Sequence, residues 1–324
     1  MPLVSVIIPT YNSAHYLPET IASIQAQDFD DFEIIIVDDR STDNTKEVIA
    51  GLAAGNIRYY CLDANHGGPS LPRKIGVEKS HGDFIAFCDS DDLFVPDRLS
   101  TAVTFLQNCP ELAMVFTDVQ KFDDGTGKVL GNFLDGYDRF HVLPKKKVGD
   151  NCFVITSDDA FPCLFFENYI LTCGVTVRRT TFDTIGGFDE TLTNGDDRDM
   201  WFRITRNFPI GFISKVGFMY RIRAGSISGR GPVLTANRSR VLRKQIAMGL
   251  PRDLYKRCRQ MIAQNYFSCG YHFQVKGQMV KARNYYFQSL RTSLNREALK
   301  GILISLLGGK VYLALRKMMK SVCG

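Results

Sequence analysis

The stretch FIAFCDSDDLFVPDRL, residues 84–99, runs from a short apolar segment directly into three carboxylates, Asp89, Asp91 and Asp92. The apolar segment predicts a buried strand that ends where the first aspartate begins. Like charges this close repel one another, and the end of a strand shields them poorly. We therefore expect a positive group to face these side chains.

The same pattern recurs on the N-terminal side of this stretch. Runs rich in Val, Ile, Phe and Tyr predict strands at 4–9, 32–38, 57–62 and 83–89, and amphipathic segments predict helices at roughly 15–26, 42–54 and 69–80. This alternation predicts an α/β fold with a mostly parallel sheet and helices on both faces. Ligands of such sheets bind beyond the carboxyl ends of the strands, where this chain has PTYN, VDDRST and CDSDD.

The composition is that of an ordinary α/β protein and excludes several other classes. The 324 residues are 45% hydrophobic and 23% charged, which suffices for a large core. Nine cysteines without a Cys-x-x-Cys pair argue against a disulfide framework and against a structural zinc site. Neither a secretory signal nor a run of about eighteen apolar residues is found. We expect a cytoplasmic protein.

Two interpretations of the aspartates follow from the residues alone. Asp89 and Asp91 offer the hard oxygen ligands that Mg²⁺ and Mn²⁺ prefer, usually together with a substrate's phosphates. Alternatively, Ser90 or Asp92 caps a helix that begins near Pro96. The surrounding motifs favour the metal site.

Seven segments of the chain carry those motifs. They are VSVIIPTYN (4–12), IIIVDDRSTDNT (34–45), NHGGPSLPRKIG (65–76), FCDSDD (87–92), IGGFDETL (185–192), GDDRDMWFRI (195–204) and YRIRAGSIS (220–228). Together and in this order they resemble the family 2 inverting glycosyltransferases, which have the nucleotide-sugar-binding GT-A fold. The resemblance implies a catalytic domain at 1–232, with a donor-binding half at about 1–120 and an acceptor half at about 121–232.

The resemblance also implies a binding site for a nucleoside-diphosphate sugar, with UDP as the expected nucleotide. Pro9 is expected to belong to this site. Tyr11 is expected to stack on or border the base, Asp39 to hydrogen-bond it, and Arg73 to contact the nucleotide or diphosphate. The residues alone leave other interpretations open. Tyr11 is then an ordinary aromatic at a strand end, and Asp39 belongs to a turn in which Ser41 caps the next helix.

The metal and the diphosphate involve a second set of residues. The resemblance implies that Asp89 and Asp91 hold Mn²⁺ or Mg²⁺, which stabilises the departing diphosphate. Arg221 and Arg223 are expected to assist with positive charge. Family members often have histidine at the position of Arg223, and because a guanidinium cannot ligate a metal, only the charge role remains here.

The acceptor hydroxyl requires a general base, because it becomes a competent nucleophile only as its proton leaves. The family pattern implies that Asp197 is this base and that Asp196 orients the acceptor or assists Asp197. A single displacement would then invert the anomeric centre. The alternative is that both acids only complement the N-terminus of a helix.

Residues 233–324 differ in character from the rest. They contain 18 Lys and Arg against two acids, a net charge of +16, whereas residues 1–232 carry −10. Residues 266–290 resemble one tetratricopeptide-like hairpin. Residues 298–322 combine large aliphatic side chains with Lys300, Lys310, Arg316, Lys317 and Lys320. This segment either lies on an anionic membrane surface or packs on the catalytic domain.

Three functional classes remain. The first is a metal-dependent inverting glycosyltransferase acting on a glycan, lipid-linked or other hydroxyl acceptor, located in the cytoplasm or peripherally on the inner face of the cytoplasmic membrane. The second is a nucleotidyltransferase acting on sugar phosphates, which would not need the GDDR motif at 195–198. The third is a basic-tailed binding protein, although no motif for nucleic acid is recognised and none is expected as a partner.

Overall fold

The computed structural model describes residues 1–52, 55–223 and 231–314. The chain divides into two compact units, Met1–Ala224 and Gly225–Gly324, and each is described by itself. The α/β prediction with a helical C-terminal region is confirmed.

Within the described residues, the strands of the first unit form one 11-stranded sheet. The strands are β1 (Val4–Thr10), β2 (Phe32–Asp38), β3 (Ile57–Cys61), β4 (Phe84–Phe87), β5 (Leu93–Phe94), β6 (Met114–Asp123), β7 (Val129–Asn132), β8 (Lys146–Gly149), β9 (Cys152–Ile155), β10 (Val175–Arg178) and β11 (Ile210–Ile222). The main path runs β3-β2-β1-β4-β10-β6-β11-β9-β8, with β5 on β11 and β7 on β6. The β3-β2-β1-β4 part is parallel throughout, β11 runs parallel to β6, and the remaining pairs are antiparallel.

Helices flank this sheet. They are α1 (Leu17–Gln25), α2 (Thr45–Gly51), α3 (Ser70–Lys79), α4 (Arg98–Asn108), α5 (Asp138–Val142), α6 (Ser157–Cys163), α7 (Arg179–Ile185) and α8 (Asp196–Asn207). Gly76 of α3 lies so close to β1 that an added Cβ would stand 2.3 Å from Ile7 Cγ2. Helix α3 therefore packs directly onto the parallel half of the sheet.

The register of the parallel strands brings three polar segments to one edge. β1 lies between β2 and β4, with Thr10 paired to Asp38 and Ile7 paired to Phe87. All of β1 and β2 is buried, as expected for strands covered on both faces. The residues after Thr10, Asp38 and Phe87 consequently emerge side by side, as the sequence predicts.

The second unit is helical in its described part. Its helices are α9 (Gly231–Ala247), α10 (Arg252–Val275), α11 (Met279–Thr292) and α12 (Arg296–Ser305). Tyr286 is fully buried at their centre and donates to Gln274 Oε1 at 2.7 Å. Gly270 and Gly301 both face its ring, and an added Cβ would approach the ring atoms within 2.6 Å and 2.5 Å. Helices α10 and α11 thus form a close-packed pair over the hairpin expected at 266–290.

The structure describes the last helix of this unit but not the final residues of the chain, 315–324. Asn295 caps α12 by accepting from the backbone N–H groups of Glu297 and Ala298 at 3.1 and 3.2 Å. Three of the basic residues expected at a membrane surface, Arg316, Lys317 and Lys320, lie outside the described residues. No helix in the described ranges is both long and apolar enough to cross a membrane.

Candidate functional site

The first part of the site lies where β1 and β2 end. Asp39 follows β2 and donates its backbone N–H to Thr10 O at 2.8 Å, while Tyr11 beside it is 45% exposed. The Asp39 carboxylate is buried and accepts from the N–H groups of His66 and Gly67 at 2.9 to 3.1 Å. His66 Nδ1 lies 3.1 Å from the same carboxylate. Asp39 therefore anchors the glycine-rich loop next to an exposed aromatic ring.

The neighbouring Asp38 has a structural role. Its carboxylate accepts from Ser41 N at 2.8 Å, from Ser41 Oγ at 2.7 Å and from Tyr59 Oη at 2.8 Å. Helix α2 begins at Thr45, four residues after Ser41, and its N-cap residue is Asn44. The alternative that Ser41 caps this helix is wrong, because its hydroxyl is used within the turn.

A short contact joins this region to the carboxylates after β4. Ser13 Oγ and Ser90 Oγ lie 2.7 Å apart, and Thr20 Oγ1 donates to Ser90 O at 3.2 Å. Pro9 is buried within β1 itself. The loop after β1 and the aspartate segment are thus held against each other.

Arginines face the two aspartates expected to bind metal. Arg73 Nη2 donates to Asp89 Oδ1 at 2.6 Å. Arg223 contacts Asp91 Oδ2 through both Nε and Nη2, each at 2.8 Å. The side chains of Asp89 and Asp91 remain 35% and 21% exposed. The positive groups predicted from the sequence are therefore present within the chain, and the carboxylates still reach the surface.

The third aspartate is internal. Asp92 is 1% exposed, accepts from Arg221 N at 3.0 Å and receives the Cys173 thiol at 3.2 Å. Burial raises its pKa well above the usual range, and the charges of Asp91 and Asp89 add to the effect. Helix α4 begins only at Arg98, after β5, so the alternative that Asp92 or Ser90 caps this helix is wrong.

The residues fit a divalent cation. Burial and then the charge of Asp89 raise the pKa of Asp91, a cost that a bound cation would relieve. Asp89, Asp92 and Cys173 also bring one potential ligand atom each within 4.8 Å of one another. Burial raises the pKa of Cys173 well above its usual value, and a protonated thiol does not suit a hard cation. Asp89 and Asp91 are therefore the better pair for Mg²⁺ or Mn²⁺.

Arg73 connects this pair to the opposite side of the site. Its Nη1 donates to Asp196 Oδ2 at 2.8 Å, while Nη2 holds Asp89. The side chains of Arg73 and Asp196 are only 5% and 2% exposed. Burial raises the pKa of Asp196 to about 6, although the Arg73 charge opposes the shift. The Arg73 guanidinium thus lies between Asp89 and Asp196, a carboxyl group with a pKa of about 6.

Asp196 and Asp197 form the first turn of α8, which begins after Gly195 in the left-handed conformation at φ 73°. Asp197 is partly exposed and receives Thr172 Oγ1 at 3.4 Å and the N–H of Arg198 at 2.7 Å. Negative charges suit this helix end. Because Asp196 is buried against Arg73, Asp197 is the more exposed acid of the pair.

The Arg221 side chain contacts three hydrogen-bond acceptors and an aromatic ring. It donates Nε to Asp91 O at 2.8 Å, Nη1 to Asp124 at 2.9 Å and Nη2 to Glu19 at 2.6 Å. Its guanidinium also lies over the ring of Tyr16, 5.0 Å from the centroid. Arg221 therefore fixes the backbone of the aspartate segment, and Arg223 is the arginine of the two whose side chain meets a candidate metal ligand.

Several of these partners were not predicted from the sequence. Cys173 and Thr172 follow no motif, and Cys173 reaches Asp89 N across 84 positions at 3.0 Å. His66 lies inside a recognised motif, but its position beside Asp39 depends on how the loop folds. Nothing in the sequence signals the double contact of Arg73.

Comparison with known proteins places the chain in a family. The profile described as "Glycosyl transferase family 2" matches residues 5–171. An uncharacterized glycosyltransferase of Rickettsia felis is 30% identical over 212 residues, 65% of this chain and 33% of that protein. A GalNAc(5)-diNAcBac-PP-undecaprenol beta-1,3-glucosyltransferase of Campylobacter jejuni is 26% identical over 336 residues, 100% of this chain and 99% of that protein.

Solved structures support the fold. The crystal structure of S. aureus TarS 1-349 in complex with UDP-GlcNAc matches with a TM-score of 0.66 at 20% identity, over 98% of this chain and 92% of that one. The chain spans about a third of the length of the first Rickettsia relatives. Because the family profile covers more than half of its residues, the chain belongs to glycosyl transferase family 2.

Proposed function

We propose that the chain transfers a sugar from a UDP-sugar to a hydroxyl of a lipid-linked glycan, with inversion at the anomeric carbon and with the help of Mn²⁺ or Mg²⁺. The observation that carries the proposal is that one buried arginine, Arg73, contacts a member of each of two acidic pairs: Asp89, which is near Asp91, and Asp196, which is next to Asp197. One pair suits a cation and a diphosphate, and the other suits a general base.

The substrate classes are inferred from the relatives. TarS, which shares this fold, was crystallised with UDP-GlcNAc. The Campylobacter relative, which matches from end to end, is named for transfer to an undecaprenol-linked acceptor. We assign the donor to the half at 1–120, with Pro9, Tyr11 and Asp39 on the nucleotide side, and the acceptor to the half at 121–232.

Asp197 is assigned as the general base. It removes the proton of the acceptor hydroxyl as that oxygen attacks the anomeric carbon, and the bond to the diphosphate breaks with its electron pair moving to the diphosphate oxygen. Base and leaving group then stand on opposite faces of the sugar, so one displacement inverts the centre. Asp196 places a second carboxyl group beside Asp197 in the first turn of α8.

The diphosphate side is assigned to Asp89, Asp91 and the arginines. A cation held by Asp89 and Asp91 would supply positive charge to the leaving diphosphate. Arg223 donates to the Asp91 carboxylate and offers a second positive group beside it. Arg221 donates to the backbone oxygen of Asp91 and so fixes the aspartate segment. Arg73 lies on the other side of Asp89.

A peripheral position on the inner face of the cytoplasmic membrane fits residues 233–324, whose net charge is +16. Helix α12 and the residues after it expose a row of aliphatic side chains at helical spacing, Leu299, Leu303, Leu306 and Leu307, each with at least half of its surface exposed. Exposed basic residues accompany the row at Arg296, Lys300 and Lys310. Such a surface suits an anionic bilayer, at about 1 kcal/mol for each basic side chain close to it.

The experiment that tests the function is a screen of nucleotide-sugars with a polyprenol-linked glycan. Release of UDP with formation of a glycosylated lipid supports the proposal. Pyrophosphate released from a sugar phosphate and a nucleoside triphosphate would instead identify a nucleotidyltransferase. Absence of both reactions, with salt-dependent retention of nucleic acid, would favour a binding protein.

A further inference from the structure

We infer that Arg73 is a positioning residue, which fixes the acceptor-side acids of α8 relative to the donor-side aspartates. The inference rests on the proposed function and assigns Arg73 a role other than gripping the nucleotide or diphosphate. Both of its terminal nitrogens are used within the protein, Nη2 on Asp89 and Nη1 on Asp196. A planar guanidinium can hold two carboxylates at a fixed separation, which a lysine cannot.

The surroundings of Arg73 show why it belongs to the scaffold. Its side chain is 5% exposed, and its Nε is buried with no hydrogen-bond partner in the described part of the chain. The ion pair with Asp196 links residues 123 positions apart, from the first turn of α3 to the first turn of α8. A movement of α8 away from Asp89 must therefore stretch one of its two contacts.

Helix α3 and the loop before it contact the segment before α8 at three further points. Ser70 Oγ donates to Asp189 O at 2.6 Å, and Lys74 forms an ion pair with Glu190. Gly68 lies against Thr193, where an added Cβ would come within 1.9 Å of the backbone oxygen. These contacts hold the segment in place without Arg73, so a substitution of Arg73 is expected to leave the fold intact and to disturb the fine position of α8.

Two roles for Arg73 predict opposite effects on ligand binding. If it gripped the diphosphate, its removal would weaken UDP binding. If it positions the acids, its removal leaves the charge of Asp89 without its arginine partner, so binding of Mn²⁺ and UDP is kept or strengthened while transfer fails. The loss should be about 100-fold, the usual cost of a small misplacement of reacting groups.

The test uses Arg73→Met and Arg73→Lys in the full chain, with UDP and Mn²⁺ as the binding probe in calorimetry and UDP release as the rate. We expect UDP affinity within about threefold of the wild type, a rate reduced by about 100-fold in Arg73→Met and a smaller loss in Arg73→Lys. Arg73→Met combined with Asp196→Asn should be no slower than the slower single variant, because the two residues act as one unit. Arg58→Lys serves as the control. Arg58 of β3 forms an ion pair with Glu33 of β2, at the end of these strands opposite to the site.

Amide hydrogen exchange over residues 193–199 provides a readout that needs no turnover. Exchange there should rise in Arg73→Met and stay at the wild-type level in Arg58→Lys. A tenfold or greater loss of UDP affinity, additive effects with Asp196→Asn, or unchanged exchange at 193–199 would overturn the inference. If Arg73→Met does not fold, the double variant that also carries Asp196→Asn removes the buried charge that Arg73 pairs with and leaves Asp89 and Asp91 intact, and its UDP affinity decides between the two roles. Failure of the proposed function is distinct, since the wild type would then neither bind UDP nor release it from any UDP-sugar.

Discussion

Acidification should switch off transfer through Asp196. Burial raises the pKa of this carboxyl to about 6, and Arg73 stabilises only its ionised form. As the pH falls through this value, Asp196 takes up a proton and loses its charge, so both the ion pair and the negative field beside Asp197 weaken. The ionised fraction drops from about 90% at pH 7 to about 10% at pH 5, which predicts a roughly tenfold lower rate.

The assay is the initial rate of UDP release between pH 5 and 8, at saturating concentrations of the donor and acceptor that support turnover. UDP binding measured over the same range separates a lost reaction from a lost ligand. Asp196→Asn should be slower than the wild type and should lack the decline centred near pH 6. A decline centred near pH 4, or one that persists unchanged in Asp196→Asn, would refute the assignment to Asp196.

Three further predictions concern other parts of the protein. Asp197→Asn should lower the rate of transfer by roughly 100-fold or more and keep donor affinity within a few-fold of the wild type. The control Asp183→Asn, at an exposed position, should leave both the rate and the affinity unchanged. An equal fall in binding and rate in Asp197→Asn would make Asp197 a donor ligand. Asp91→Asn should weaken metal-dependent UDP binding and lower turnover. Full activity of this variant in excess chelator would contradict the role of a metal in the reaction. The full chain should co-sediment with anionic vesicles at low salt and be released at high salt, and Leu303→Gln with Leu306→Gln should weaken this; equal sedimentation of the double variant would contradict the role of the leucine row.

The parallel half of the fold was predictable because its strands are buried on both faces. The strand bounds predicted from continuous apolar runs, such as that of β2, agree with the structure within one or two residues. Polar residues follow each of these strands at the same edge of the sheet. Three of the antiparallel strands, β7, β8 and β9, lie within residues 123–168, where the sequence offers no comparable pattern.

The candidate site was predictable only as a set of residue types. Motif order identified Asp89, Asp91, Asp196 and Asp197, but the partners of these acids are set by contacts between distant segments. Arg73 meets Asp196 because α3 packs against the segment before α8, and Arg223 meets Asp91 because β11 runs beside the aspartate segment. Such contacts depend on tertiary packing, which local sequence does not encode.

The measurement that tests the central claim most directly is the anomeric configuration of the product. A polyprenol-linked glycan incubated with an α-linked UDP-sugar and Mn²⁺ should yield UDP and a new glycosidic bond, whose configuration proton NMR reports through its anomeric coupling. We expect a β-linked product from the wild type, formed roughly 100-fold or more slowly by Asp197→Asn. An α-linked product would contradict the single displacement with Asp197 as its base.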